Sequence, residues 1–214
     1  LDPKNITNKL LFSIFQYEKK TSKNKTLEAI NSTKISLKSD PMILNLPIEL
    51  ELINDLYKIK TRNQETYQGP TYGDARGSEF NLFERNEPSI IRVKEKLITI
   101  SKETVNTNIL VSSSFFTIFR SGGGLISHDH LSETDKIKGL NISHRKFSLV
   151  YYLSVGDQEC DEPGVLKLED PIQEILPNDG LVIIFPAQRK HSVFYQGKKD
   201  RVIIGVNFYS IESK

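Results

Sequence analysis

Residues 180–186 read Gly-Leu-Val-Ile-Ile-Phe-Pro, residues 190–195 read Lys-His-Ser-Val-Phe-Tyr, and residues 201–209 read Arg-Val-Ile-Ile-Gly-Val-Asn-Phe-Tyr. Each run is short, rich in β-branched and aromatic residues, and bounded by Gly, Pro, Gln or Asp, the pattern of a strand between tight connections. Upstream, residues 108–120, 125–131, 146–154 and 164–168 have the same character. Seven or eight such strands without intervening helices predict a sandwich or jelly roll rather than a parallel sheet.

The first half reads differently. Pro88 opens a helix with Ile90, Val93, Leu97 and Ile98 on one face. Residues 51–60 predict a second amphipathic helix on Ile53, Leu56 and Tyr57. Residues 61–86, rich in Gly, Asn, Arg and Tyr, predict an extended loop that walls a site. Residues 1–45 are polar apart from Leu10-Leu11-Phe12-Ser13-Ile14-Phe15, which fits an edge strand or a helix turn equally. The expectation is one α+β domain over residues 1–214. Its core is a jelly roll over 108–210, and the helical and mixed region 1–107 packs helices on the outer sheet.

Composition narrows the function. The 214 residues carry 29 basic and 27 acidic side chains, a net charge of +2 that argues against a nucleic-acid binder. The single cysteine, Cys160, excludes an internal disulfide and suits a reducing compartment, so a cytoplasmic location is expected. No apolar run reaches the roughly 18 residues of a membrane span, and no signal peptide is visible. The chain begins at Leu1 rather than Met, which suggests a cut from something longer.

Chemistry concentrates in the histidines. Three of the four fall at His128, His130 and His191, in a chain otherwise poor in them. Imidazole binds divalent iron, zinc or copper well. Side chains two apart on a strand share a face, which groups His128 with His130 and sends Asp129 to the other side. His191 lies in a second strand that can bring it across. Arg201 follows, and a buried arginine beside a metal makes sense if it fixes an anionic ligand, since its fork of donors matches a carboxylate. Tyr152 would add a phenol hydrogen bond to that carboxylate. Tyr151 and Tyr152 face opposite ways, so one of the two is sheet packing. His144, between Ser143 and Arg145, is expected in solvent.

The order of these elements resembles the Fe(II)- and 2-oxoglutarate-dependent dioxygenases, most closely their prolyl-hydroxylase-like branch. The likeness runs over about residues 108–210. It is carried by Gly122-Gly123-Gly124 before Ser127-His128-Asp129-His130, the run Phe147 to Leu153, and Pro163-Gly164-Val165-Leu166-Lys167-Leu168. Asn178-Asp179-Gly180-Leu181, Phe185-Pro186, the distal His191 and Arg201 ten residues later complete it. The His-x-His spacing is similar to a bacterial and phage subgroup, as is the segment 74–83. The resemblance implies a double-stranded β-helix of cupin-like form, one Fe(II), 2-oxoglutarate as cosubstrate and O2. It makes His128 and His191 ligands, with Arg201 and Tyr152 on the distal carboxylate. The implied reaction oxidises 2-oxoglutarate to succinate and carbon dioxide while one oxygen atom enters a substrate C–H bond.

One departure matters. The familiar triad has a carboxylate two residues after the first histidine, and here that position is His130. Either His130 is the third ligand, or a bulge turns Asp129 inward, or water completes the site; Glu133 and Asp135 have the wrong spacing. The expected substrate is a peptidyl side chain, free amino acid or small metabolite. Tyr67, Tyr72, Arg76 and Phe83 are candidates to line its pocket, and Arg120 and Arg145 to meet an anionic group. Two other classes compete: a cupin-like metal protein or non-oxidative enzyme with a three-histidine site, and a partner-binding sandwich without metal affinity.

Overall fold

The computed structural model describes residues 40–63 and 70–211. The run Leu10 to Phe15 and the pocket candidate Tyr67 lie outside the described residues. The strands are β1 (Met42–Asn45), β2 (Arg62–Asn63), β3 (Thr71–Tyr72), β4 (Ala75–Gly77), β5 (Asn108–Phe119) and β6 (Gly123–His128). They continue with β7 (Lys146–Ser154), β8 (Leu166–Leu168), β9 (Gln173–Ile175), β10 (Leu181–Pro186), β11 (His191–Tyr195) and β12 (Arg201–Ile211). Helix α1 spans Leu50–Lys58 and α2 spans Pro88–Val105.

Every strand pair is antiparallel, and the strands form two sheets. The larger has the order β1-β10-β7-β12-β5-β4-β2 and the smaller β3-β6-β11-β8-β9. This is the double-stranded β-helix expected from the strand run. Between the sheets, Phe119, Tyr152, Ile183, Phe185 and Ile203 of the large sheet meet Leu166, Leu168, Val193 and Tyr195 of the small one.

The strands β7, β10 and β12 of the large sheet are buried on both faces, which explains why they read as continuous apolar runs. Leu149, Tyr151, Ile184, Ile204 and Phe208 are buried on its outer side. Tyr151, the sheet-packing tyrosine of its pair, donates its hydroxyl to the Pro47 carbonyl at 3.1 Å. Helix α2 packs on β5 with Ile90, Val93 and Leu97 buried, each contributing about 1.5–3 kcal/mol of apolar burial. Pro88 stands in its first turn, and Asn106 ends it in the left-handed conformation with φ 52°. Helix α1 buries Leu56 as expected, but its other buried residue is Leu52 in place of Ile53 and Tyr57, and Tyr57 is 48% exposed.

The stretch 61–86 is not a plain loop. Strands β2, β3 and β4 extend both sheets at the same end of the molecule, and a 3-10 turn at Leu82–Glu84 buries Leu82 and Phe83. Strands β1 and β9 were also not expected. Among the described residues no helix is long and apolar enough to cross a membrane.

Candidate metal centre

The three histidines converge. His128 ends β6 and sits directly across from His191, the first residue of β11. Their ring centres are 4.3 Å apart. His130 lies beyond the strand end, where its amide donates to the Ala187 carbonyl at 2.9 Å. Its Nε2 is 3.3 Å from His191 Nε2, and one ligand nitrogen from each ring lies within 4.8 Å of the others. Two nitrogens held at about 2.0–2.1 Å by one ion stand roughly 3 Å apart, so the donor set fits a metal.

The tautomers suit the same role. His128 Nδ1 is 2.8 Å from the Ile126 carbonyl and His191 Nδ1 is 3.3 Å from the Arg189 carbonyl. With those nitrogens donating, each Nε2 keeps its lone pair for a ligand bond. Burial lowers all three imidazole pKa values. It takes His191 to about 3, with the neighbouring His128 adding to the effect. His130 falls well below the ordinary value through burial first and then the other two rings. All three are neutral near pH 7, the form that binds metal.

Among the described residues no acidic group joins the three imidazoles, although Asp129 lines the same cavity. Asp129 Oδ1 accepts from the Leu131 amide at 2.9 Å, a local turn that engages one of its two oxygens. A bulge does occur, but between His191 and Val193 of β11 the facing β6 residues are Ile126 and Ser127, ahead of His128. Glu133 is 95% exposed. Asp135 is buried and accepts from Lys146 Nζ at 2.7 Å, Tyr209 Oη at 2.6 Å and the Ser132 amide at 2.7 Å. Burial pushes its pKa up, but those bonds outweigh burial and hold it low. His144 is exposed, as expected.

A cavity of about 280 Å³ opens on the imidazoles. Its inner wall follows the two-residue period of the large sheet: Ser148 and Val150 on β7, Asn207, Gly205 and Ile203 on β12, Phe115 and Thr117 on β5. Ser148 Oγ donates to Asn207 Oδ1 at 2.7 Å, and Asn207 Nδ2 donates to Ser113 Oγ at 3.0 Å. Phe80 meets Phe115 edge-on at 5.3 Å near the rim, where Arg62 pairs with Glu79 at 2.6 Å.

Tyr152 and Arg201 occupy the next inward positions of β7 and β12, just past Val150 and Ile203, and do not line the cavity itself. Arg201 is 1% exposed. Its Nη1 donates to the Gly164 carbonyl at 2.5 Å and to the Pro163 carbonyl at 3.3 Å, while its Nε has no partner. Its guanidinium carbon is 5.0 Å from the Tyr152 ring centre and 5.9 Å from that of Tyr195. Burial raises the Tyr152 pKa against the pull of Arg201. A buried donor left over beside a phenol is the chemistry of a carboxylate seat.

The other pocket candidates fare differently. Arg120 Nε bonds Asp200 at 3.2 Å and Arg76 Nε bonds Asp74 at 3.3 Å. Neither arginine lines the cavity, nor do Arg145, Tyr72 or Phe83. The segment 77–80 does line it, through Phe80 and its neighbours. Phe80, Phe115, Ser148 and Asn207 were missed. Stepping by two from Tyr152 and Arg201 would have found Ser148 and Asn207.

No protein-family model matches the sequence, and no curated protein matches it. Solved structures do match in fold. A Trichoplax adhaerens prolyl hydroxylase in complex with a hypoxia inducible factor peptide aligns with a TM-score of 0.58 at 16% identity, over 81% of this chain and 84% of that one. A Pseudomonas putida prolyl-4-hydroxylase gives 0.56 at 13% identity, over 82% and 95%. HygX of Streptomyces hygroscopicus, with nickel and 2-oxoglutarate bound, gives 0.59 at 12% identity, over 80% and 83%. The chain shares the fold of these three neighbours.

Proposed function

We propose that the protein is an Fe(II)- and 2-oxoglutarate-dependent dioxygenase that hydroxylates a peptidyl side chain, free amino acid or small metabolite. His128, His130 and His191 would hold the metal through their Nε2 atoms. Arg201 and Tyr152 would bind the distal carboxylate of 2-oxoglutarate. The observation that carries the reading is the presence, between the two sheets, of three neutral imidazoles from the small sheet's end and the unpartnered Arg201 Nε from the large sheet.

The bound iron would supply oxygen activation and orient the 2-oxoglutarate. The chain's own contribution is positioning. The Nδ1 bonds of His128 and His191 to backbone carbonyls orient their rings. Phe185, 5.0 Å from the His191 ring, closes the inner side with apolar surface. Ser148 and Asn207 form a hydrogen-bonded polar pair in the cavity wall and would orient the substrate, with Phe80 and Phe115 flanking its entry.

A second reading, a cupin-like metal site without oxidative chemistry, is favoured by one feature: the cavity ends at Val150 and Ile203, short of Arg201. Succinate separates the two. The oxygenase forms succinate from 2-oxoglutarate when iron and oxygen are supplied, and His191→Ala abolishes it. Metal binding with neither succinate nor 2-oxoglutarate binding would leave the cupin-like reading standing.

A further inference from the structure

We propose that the substrate presents an uncharged aromatic ring to the cavity, seated against Phe80 and Phe115, with a neutral polar group bonded to Ser148, Asn207 or Thr117. This deepens the oxygenase reading and rests on it for which end of the cavity holds the reacting carbon.

Charge narrows the substrate first. Apart from the imidazoles, the ionisable side chains in the cavity wall are Arg62, Glu79 and Asp129. Arg62 and Glu79 pair with each other at 2.6 Å. Asp129 stands between His128 and His130 in the chain, where a bound divalent ion would oppose a second cation. Away from the metal position, an entering carboxylate meets no unmatched cation, since Arg76, Arg120 and Arg145 do not line the wall. Burying a charge among apolar walls without a partner is costly. A free amino acid, with both charges, fits poorly on either count.

Shape narrows it further. A Cβ added at Gly205 would collide with the outer edge of the Phe115 ring, so that ring occupies the place of a side chain on β12. Phe80 meets the same ring edge-on, with centroids 5.3 Å apart and planes at 71°. It is 63% exposed, so the pair offers apolar surface at the mouth that the core does not use. Aromatic pairs gain beyond the area they bury, which favours a third ring over an alkyl group. Roughly 150 Å³ suffices to hold benzene, so the cavity of about 280 Å³ has room for a ring and a small second ligand. The polar groups beside it are neutral. Ser148 bonds Asn207 at 2.7 Å, Asn207 spends one amide hydrogen on Ser113, and Thr117 adds a hydroxyl from β5. They match an amide or hydroxyl.

The test is calorimetric titration with N-acetyl-phenylalaninamide of the chain supplied with Co(II), a redox-stable stand-in for Fe(II), and saturating 2-oxoglutarate. This probe should bind about tenfold or more tighter than phenylacetate or phenethylamine, which carry the ring on an anion and a cation. It should bind about threefold or more tighter than N-acetyl-leucinamide. Phe80→Ala, at an exposed position that leaves the core intact, should weaken it about threefold or more. Gly205→Ala should weaken it by driving the Phe115 ring into the cavity, and Ile172→Ala, outside the cavity, should leave it unchanged. Equal affinity for either charged probe or for N-acetyl-leucinamide, or no effect of Phe80→Ala, would overturn the inference. So would no binding of N-acetyl-phenylalaninamide; if succinate still forms from 2-oxoglutarate, the oxygenase reading stands without it. If Co(II) does not bind, the oxygenase reading fails, and the same comparison of probes decides the character of the cavity by itself.

Discussion

His128 and His191 are cross-strand partners on β6 and β11, with ring centres 4.3 Å apart, so their alignment is set by the small sheet's ladder. A ligand pair built on paired strands is more rigid than one built on loops. Replacing either with Ala should therefore lower metal affinity at least about 100-fold, the upper end of what losing even an outer partner costs. Calorimetric titration with Co(II) measures it. A loss of only a few-fold in either variant would remove that residue from the ligand set.

Asp135, Lys146 and Tyr209 form a buried cluster beside the His130 segment, with the ion pair at 2.7 Å. Lys146 also holds the Ala187 amide through its carbonyl, and the Ala187 carbonyl holds the His130 amide. Asp135→Ala strands a buried ammonium and should cost about 3–5 kcal/mol, whereas the double change Asp135→Leu with Lys146→Met should cost far less. Thermal melts of the three proteins compare them. Equal losses in the single and double variants would show that charge is not the reason.

The metal-free protein should weaken as the solution is acidified. His191 falls to about 3 in the folded chain through burial, against an ordinary value of 6.5. The unfolded chain thus binds the extra proton first. Stability is full above about pH 6.5 and declines as pH falls towards about 3. Melting temperatures between about pH 7.5 and about pH 5 should drop, and His191→Leu should flatten the slope. A melting temperature indifferent to pH across that range would contradict the neutral, buried assignment.

Gly164 has φ +83°, and a Cβ there would meet Arg201 Nη1 at 1.7 Å. No side chain fits without moving the guanidinium or straining the backbone. Gly164→Ala should lose 2-oxoglutarate affinity by about tenfold or more while keeping Co(II) binding, since Gly164 packs beside Arg201 and Tyr195, and Tyr195 is at the opposite end of β11 from His191. Isothermal titration of each ligand decides it, and unchanged 2-oxoglutarate affinity would place the carboxylate elsewhere.

The long strands of the large sheet, β7, β10 and β12, were legible because they are buried on both faces. The run Lys146–Ser154 is continuous in the sequence and is β7 to the residue. Strands β9 and β2 were not legible: Gln173-Glu174-Ile175 and Arg62-Asn63 are polar edge segments whose pairing depends on a neighbour the sequence does not name. For α1, Ile53 and Leu52 fit an apolar stripe equally, and only packing selects Leu52. The histidines were legible through their scarcity and order. That Asp129 would spend its carboxylate on the Leu131 amide was not, because the choice depends on β6 stopping at His128 rather than running on to residue 131.

The most direct measurement is anaerobic titration of the Fe(II)-loaded protein with 2-oxoglutarate, following visible absorbance. The account predicts a weak charge-transfer band that saturates with 2-oxoglutarate and is lost in Arg201→Gln. Tight Fe(II) binding with no band at any 2-oxoglutarate concentration would contradict it.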